Sequence, residues 1–172
     1  NYVMAHEQCG VDAGMVTSRF DATTYSGQII VRADSGIETL QDLEGKVMCW
    51  VDPASTSGYI IPRIMLAAEG IDPDTAFSET IEAGSHNNVV TQVYNGDCDA
   101  GATFADARTG IEEEFPDVLE QVAVLATTSE IPNDSVSFTA DFPAEMRAEI
   151  IAALLDISAS AEGQEALNTL YN

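Results

Sequence analysis

The stretch Lys46-Val47-Met48-Cys49-Trp50-Val51-Asp52-Pro53-Ala54-Ser55-Thr56-Ser57-Gly58-Tyr59 holds the change of period that decides the fold. Residues 46–51 read as a buried strand, an apolar run bounded by Gly45 on one side and Asp52-Pro53 on the other. After Ser55 the period becomes helical. Ile60, Ile61, Ile64, Met65 and Ala68 recur at the spacing of one helix face, and Gly70 stops the pattern. A buried strand feeding directly into a helix is the repeating unit of an α/β protein.

The rest of the chain repeats the same alternation on both sides of this stretch. Upstream, the sequence predicts a short helix over 2–7, a strand over 28–32 and a short helix over 39–43. Downstream, it predicts a strand over 77–83 and a helix over 86–94 closed by Gly96. A strand over 98–104 then runs into a helix from Ala105. Strands over 122–126 and 136–139 follow, and helices over 143–155 and 161–170 complete the chain. The expectation is an α/β architecture with a largely parallel sheet. No internal repeat, low-complexity tract or charge block marks a linker, and Glu112-Glu113-Glu114 reads as a solvated face.

Composition narrows the function. The 172 residues include 29 acidic and 6 basic side chains, for a formal net charge of −23. A polyanion repels nucleic-acid backbones and anionic bilayers, so neither is an expected partner. With 45% apolar and only 20% charged residues, the chain has the makings of a packed core rather than of a disordered segment. The excess of one sign suits a solvated surface in salty or extracellular surroundings, where repulsion is screened. No apolar run reaches the length of a membrane-spanning helix. Cys9, Cys49 and Cys98 lack metal-binding spacing. One bridge with one free thiol and three buried thiols both fit, and Cys49 meets Cys98 if their strands are adjacent.

Four segments can carry chemistry. Ser55, Thr56 and Ser57 stand at a helix start, where unpaired N–H groups and aligned peptide dipoles favour an anion and hydroxyls add donors. The same residues also suit plain N-capping. In Ala83-Gly84-Ser85-His86-Asn87, Gly84 permits close backbone approach, Ser85 can cap, and His86 in the first turn can donate to an anion or serve as a satisfied surface histidine. His6 has no companion and reads as structural or solvent-facing. Gly101-Ala102-Thr103-Phe104-Ala105-Asp106 places small residues at a strand end with Asp106 beyond them, and Ile131-Pro132-Asn133-Asp134 places Asp134 before another strand. Two such carboxylates can recognise an amine, form an acid/base pair, or act as turn and cap residues. There is no Gly-x-Ser-x-Gly elbow, and Cys49 lies inside an apolar strand, the usual place of an inert thiol.

The blocks Asp34-Ser35-Gly36-Ile37, Leu40-x-x-Leu43-x-Gly45-Lys46, Val51 through Tyr59, Ala83-Gly84-Ser85-His86, Asn95-Gly96-Asp97, Asp99-Ala100-Gly101-Ala102-Thr103 and Ile131-Pro132-Asn133-Asp134 together resemble the phosphonate-type substrate-binding proteins of ABC importers. The resemblance implies a periplasmic-binding-protein fold of the second type, with two lobes that close on a small ligand. It assigns the oxyanion to Ser55, Thr56, Ser57 and His86. Tyr25, before the first strand of the second lobe, and Tyr2, at the rim of the first, match aromatic positions. Asp106 and Asp134 match positions that take the amine of an aminoalkyl phosphonate, 2-aminoethylphosphonate being one, although the family commonly has glutamate where Asp106 stands. Family members are longer, so the resemblance implies that the N-terminal part of the first lobe lies outside this sequence. Residues 1–26 would then be a remnant of that lobe and the hinge approach, 27–101 the second lobe, and 102–172 the return crossing and the rest of the first.

The implied function is extracytoplasmic capture of a phosphonate or related small oxyanion for a membrane permease, without catalysis or cofactor. The implied location is periplasmic or extracellular, with a lipid anchor on a removed N-terminal segment as one form. Two alternatives stay open at this point. One is a metal-assisted phosphonate or phosphoester hydrolase using Asp106 and Asp134. The other is a truncated interaction fragment, in which an incomplete first lobe exposes a sheet edge and favours self-association.

Overall fold

The computed structural model describes residues 2–19 and 21–171. In chain order the elements are α1 (Tyr2–Cys9), β1 (Asp12–Val16), β2 (Thr24–Arg32), β3 (Val47–Trp50), α2 (Ile61–Ala68), β4 (Glu79–Glu82), α3 (His86–Asn95), β5 (Ala100–Phe104), α4 (Val118–Gln121), β6 (Val122–Pro132), β7 (Ser135–Phe138), α5 (Ala144–Ala159) and α6 (Ala161–Tyr171). Short 3-10 turns cover Leu40–Leu43 and Ala107–Ile111, and a wide π turn, Thr56–Ile60, opens directly into α2.

The chain divides into two compact units. One is Thr24–Pro132, and the other comprises the described residues of Asn1–Thr23 and Asn133–Asn172. The first unit is built on a five-stranded sheet in the order β4-β3-β5-β2-β6. Strand β3 runs parallel to both β4 and β5, whereas β2 is antiparallel to both β5 and β6. The sheet is therefore mixed, where sequence alternation suggested a largely parallel one. A strand buried on both faces is apolar throughout whichever way it points, so its residues do not record its direction.

The boundary also moves relative to the sequence reading. Residues 102–132 join the unit that had been expected to close at residue 101, because β6 pairs with β2 from Arg32↔Val122 to Thr24↔Pro132. In the other unit, β1 and β7 pair antiparallel, with Asp12 opposite Phe138. Phe138 is buried there, while neither α1 nor α5 contains a buried residue. Strand β1 and helix α4 have no counterpart among the sequence-predicted elements.

Period-two alternation sorts the core of the larger unit into two layers. Ile29, Val31, Met48 and Trp50 lie on one face with Leu66 of α2, whereas Ile30, Cys49 and Val51 lie on the other with Val89, Val90 and Val93 of α3. Helix α3 sits so close that a β-carbon added at Gly101 would lie 2.5 Å from Val89 Cγ1. A disulfide joins Cys49 of β3 to Cys98 just ahead of β5, with 5.9 Å between their α-carbons. Cys9 is free and exposed. No described helix is long and apolar enough to cross a membrane.

The bridge spans 49 residues of sequence, which places the stabilisation at about 2–4 kcal/mol. Replacing both Cys49 and Cys98 by serine is expected to lower the unfolding free energy by that amount in a denaturant titration. Thiol counting on the oxidised protein is expected to return one reactive thiol, and a count of three would contradict the pairing.

Candidate functional site

Because β3, β4 and β5 point the same way, their carboxyl ends reach a common edge of the sheet. In open α/β sheets this is the edge where ligands bind. Three connections start there: residues 51–55 leading to the π turn and α2, Ala83-Gly84-Ser85 leading to α3, and Ala105-Asp106 leading to the 3-10 turn Ala107–Ile111. Because β2 is antiparallel to β5, its first half lies at this edge, with Gly27 opposite Phe104.

The first connection is tied down by its own polar groups. Asp52 Oδ1 accepts the Ala54 N–H at 2.8 Å, and its carbonyl oxygen accepts the Ser55 N–H at 3.0 Å. Ser55 caps the following turn, its Oγ accepting the Gly58 N–H at 3.1 Å. The Ile60 N–H closes back on the Ser55 carbonyl at 2.9 Å. Thr56 is half-buried and Ser57 is only 3% exposed. Capping therefore accounts for Ser55 but not for the burial of Ser57, which solvated capping neighbours would not show.

Gly27 supports Ser57 from β2. A β-carbon there would stand 2.9 Å from the Ser57 carbonyl oxygen and 3.2 Å from Thr128 Cγ2. The Gly27 N–H donates to Thr128 Oγ1 at 2.8 Å. This contact requires the absence of a side chain and fixes the depth of the Ser-Thr-Ser turn against the sheet.

The second connection delivers His86. Ser85 caps α3 through the Asn88 N–H at 3.2 Å, so His86 is held in the first helical turn. Its Nδ1 lies 2.9 Å from Thr103 Oγ1 and accepts the Phe104 N–H at 3.3 Å. A backbone amide can only donate, so Nδ1 carries no proton and the neutral ring presents N–H at Nε2. Burial pushes the His86 pKa below its usual value, with the Asp52 carboxylate acting in the opposite sense. The Phe104 ring packs edge-on against the imidazole at 4.6 Å between centroids. His86 is thus a positioned neutral donor.

Asp106 follows the end of β5, and Arg108 binds both of its oxygens, donating from Nε to Oδ1 at 2.8 Å and from Nη2 to Oδ2 at 2.6 Å. Tyr25 is half-buried inside β2, opposite Ile131, rather than preceding the strand as expected. Asp134 and Tyr2 belong to the other unit. There Asp134 is exposed and pairs with Arg19 at 2.7 Å, while Tyr2 Oη accepts the Ala13 N–H at 3.4 Å. The larger unit therefore brings Ser55, Thr56, Ser57, His86, Tyr25 and Asp106 to one sheet edge.

Sequence reasoning overlooked Gly27, Thr103, Thr128 and Arg108. Of these, Arg108 alone leaves a local trace, because it stands two residues after Asp106 at a turn start. The roles of Gly27, Thr103 and Thr128 arise from strand register.

A profile for the family described as "ABC transporter, phosphonate, periplasmic substrate-binding protein" matches residues 1–172. The "Phosphate-import protein PhnD" of Mycolicibacterium smegmatis is 41% identical over 91 residues, which cover 48% of this chain and 28% of that protein. The structure of XAC2383 from Xanthomonas citri bound to ATP superposes with a TM-score of 0.82 at 23% identity, covering 96% of this chain and 64% of that one. PhnD1 from Prochlorococcus marinus in complex with methylphosphonate gives 0.78 at 17% identity, covering 99% and 66%. At these identities the structural likeness concerns the fold, an α/β periplasmic-binding-protein topology with a mixed sheet and flanking helices. The match spans less than a third of the curated relative, and under two thirds or about two thirds of the two solved chains.

The depressed His86 pKa sets a pH dependence. The unfolded imidazole, with a pKa of about 6.5, binds a proton before the folded one does. Stability is therefore unaffected well above that value and falls as the pH drops through it towards the folded pKa. Nitrogen-15 NMR of the imidazoles at neutral pH is expected to show His86 protonated on Nε2 only, titrating below the ordinary histidine range. A doubly protonated ring at neutral pH would contradict the assignment.

Proposed function

This chain belongs to the phosphonate-type periplasmic substrate-binding proteins of ABC transporters, and from that premise we propose that its sheet-edge site binds a small tetrahedral oxyanion for import. Members of this family are non-catalytic binding proteins, and the proposed role here is likewise capture without turnover. The ligand is a phosphonate or a close relative, handed to a permease in the membrane, and the protein works outside the cytoplasmic membrane. The Cys49–Cys98 bridge is in keeping with an oxidising compartment.

The observation that carries this reading is the convergence of two helix starts furnished with neutral donors. Ser57, buried at the head of the π turn, and His86, with N–H at Nε2, both stand at the carboxyl edge of parallel strands. Thr56 and Ser55 stand at the same turn, and Tyr25 lies on the adjoining part of β2. Backbone amides and hydroxyls bind an oxyanion through local dipoles, so the grip does not depend on the sign of the protein's total charge. The proposal for the oxyanion rests on the Thr24–Pro132 unit alone.

Titration calorimetry of the folded chain with methylphosphonate, phosphite, phosphate and sulfate tests the proposal. At least one is expected to bind. A hydrogen bond to a charged group contributes about 1.5–3 kcal/mol, so Ser57→Ala is expected to weaken binding by roughly 10- to 100-fold. Absence of heat for all four, in a sample whose cooperative unfolding is demonstrated, would defeat it. Gly27→Ala is expected to weaken the same ligand through displacement of the Ser57 carbonyl, and unchanged affinity would remove Gly27 from the site.

A further inference from the structure

A carboxylate that recognises an ammonium group must have lone pairs and negative charge to offer. Asp106 has little of either left to offer, because its oxygens already accept three N–H groups of Arg108, where a carboxylate has about four acceptor sites. Arg108 holds it in a two-pronged pair, Nε on Oδ1 at 2.8 Å and Nη2 on Oδ2 at 2.6 Å, and Arg108 Nη1 is anchored on the Val122 carbonyl at 2.6 Å. The pair is sheltered, with side-chain exposures of 33% for Asp106 and 14% for Arg108. The Arg108 hydrogen bonds hold the Asp106 carboxyl below the usual carboxylate range. Such a forked, charge-assisted contact is among the stronger polar interactions in proteins, and breaking a sheltered pair leaves one charge uncompensated.

The pair lies beside the proposed oxyanion grip. Asp106 is two residues beyond Phe104, whose N–H donates to His86 Nδ1, and one beyond Ala105, whose N–H donates to the Ser26 carbonyl at 2.9 Å. An ammonium arriving near Asp106 therefore meets a neutralised carboxylate with a guanidinium beside it. An uncharged or absent substituent on the phosphorus meets no such obstacle.

We infer that the site, read as an oxyanion receptor, selects small tetrahedral oxyanions that carry no ammonium group, with Arg108 acting as the residue that withdraws Asp106 from amine recognition. The ligand class is then an alkylphosphonate, phosphite or phosphate rather than an aminoalkylphosphonate. This inference rests on the oxyanion-binding reading and adds to it the chemistry of the ligand's other end.

Calorimetry of the full 172-residue chain with methylphosphonate and with 2-aminoethylphosphonate tests it directly. The expected result is binding of methylphosphonate at least as tight as that of the amine-bearing ligand. A preference for 2-aminoethylphosphonate overturns this inference and leaves the oxyanion reading standing. Binding of neither ligand, nor of phosphite or phosphate, defeats both. Arg108→Gln, checked for cooperative unfolding, is expected to move the affinity ratio about tenfold or more towards 2-aminoethylphosphonate, as the Asp106 carboxylate is released. A folded Arg108→Gln protein with an unmoved ratio overturns the role given to Arg108. The wild-type ratio decides the ligand class even if that variant fails to fold.

Discussion

Parallel strands cannot be joined by tight turns. Each needs a crossover that leaves from its carboxyl end and returns to the opposite edge of the sheet. With β3, β4 and β5 parallel and adjacent, the starts of three such connections are forced together. Every feature of the site in the larger unit follows from that constraint. The Ser-Thr-Ser turn leaves β3, the capped start of α3 leaves β4, and Thr103-Phe104 at the end of β5 stands where it can fix the imidazole that α3 delivers. Antiparallel β2 closes the arrangement from beside β5, and it can approach the Ser57 carbonyl only because residue 27 is glycine.

A net charge of −23 makes an anionic ligand look improbable until the donors are examined one by one. Long-range repulsion is screened within about 10 Å in ordinary salt, whereas helix-start amides and hydroxyls act at contact distance. His86 illustrates the economy of the arrangement. Half-buried and neutral, it supplies one directed N–H without adding a charge that would itself need a sheltered partner. At the same sheet edge Arg108 is paired with Asp106, so that carboxylate adds no uncompensated negative charge.

Much of this organisation is legible in the residues themselves. The run Val47 to Val51, the hydroxyl cluster after Asp52-Pro53, and the Gly84-Ser85-His86 start each carry a local physical signal, and each stands where that signal implies. The direction of β2 does not, because Ile29, Ile30 and Val31 are buried in either orientation. Strand β6 continues past Ala126 through Thr127, Thr128, Ser129 and Glu130, whose polarity ends the apolar signal while backbone pairing with β2 carries the strand on. Strand β1, Asp-Ala-Gly-Met-Val, has no alternation and forms by pairing with β7. At the end of β5, Asp106 is legible as a carboxylate beyond small residues, but its engagement by Arg108 depends on a turn geometry that composition does not encode. The roles of Gly27 and Thr128 come from register, which sequence spacing alone leaves undetermined.

The central claim is that neutral donors at two helix starts hold an oxyanion at the carboxyl edge of β3, β4 and β5. Backbone amide NMR of the folded chain during a methylphosphonate titration tests it most directly. The predicted result is saturable shifts concentrated at residues 55–58 and 85–87, with the Nε2 proton of His86 moving in step. Saturable shifts located elsewhere, with both helix starts unmoved, would contradict it.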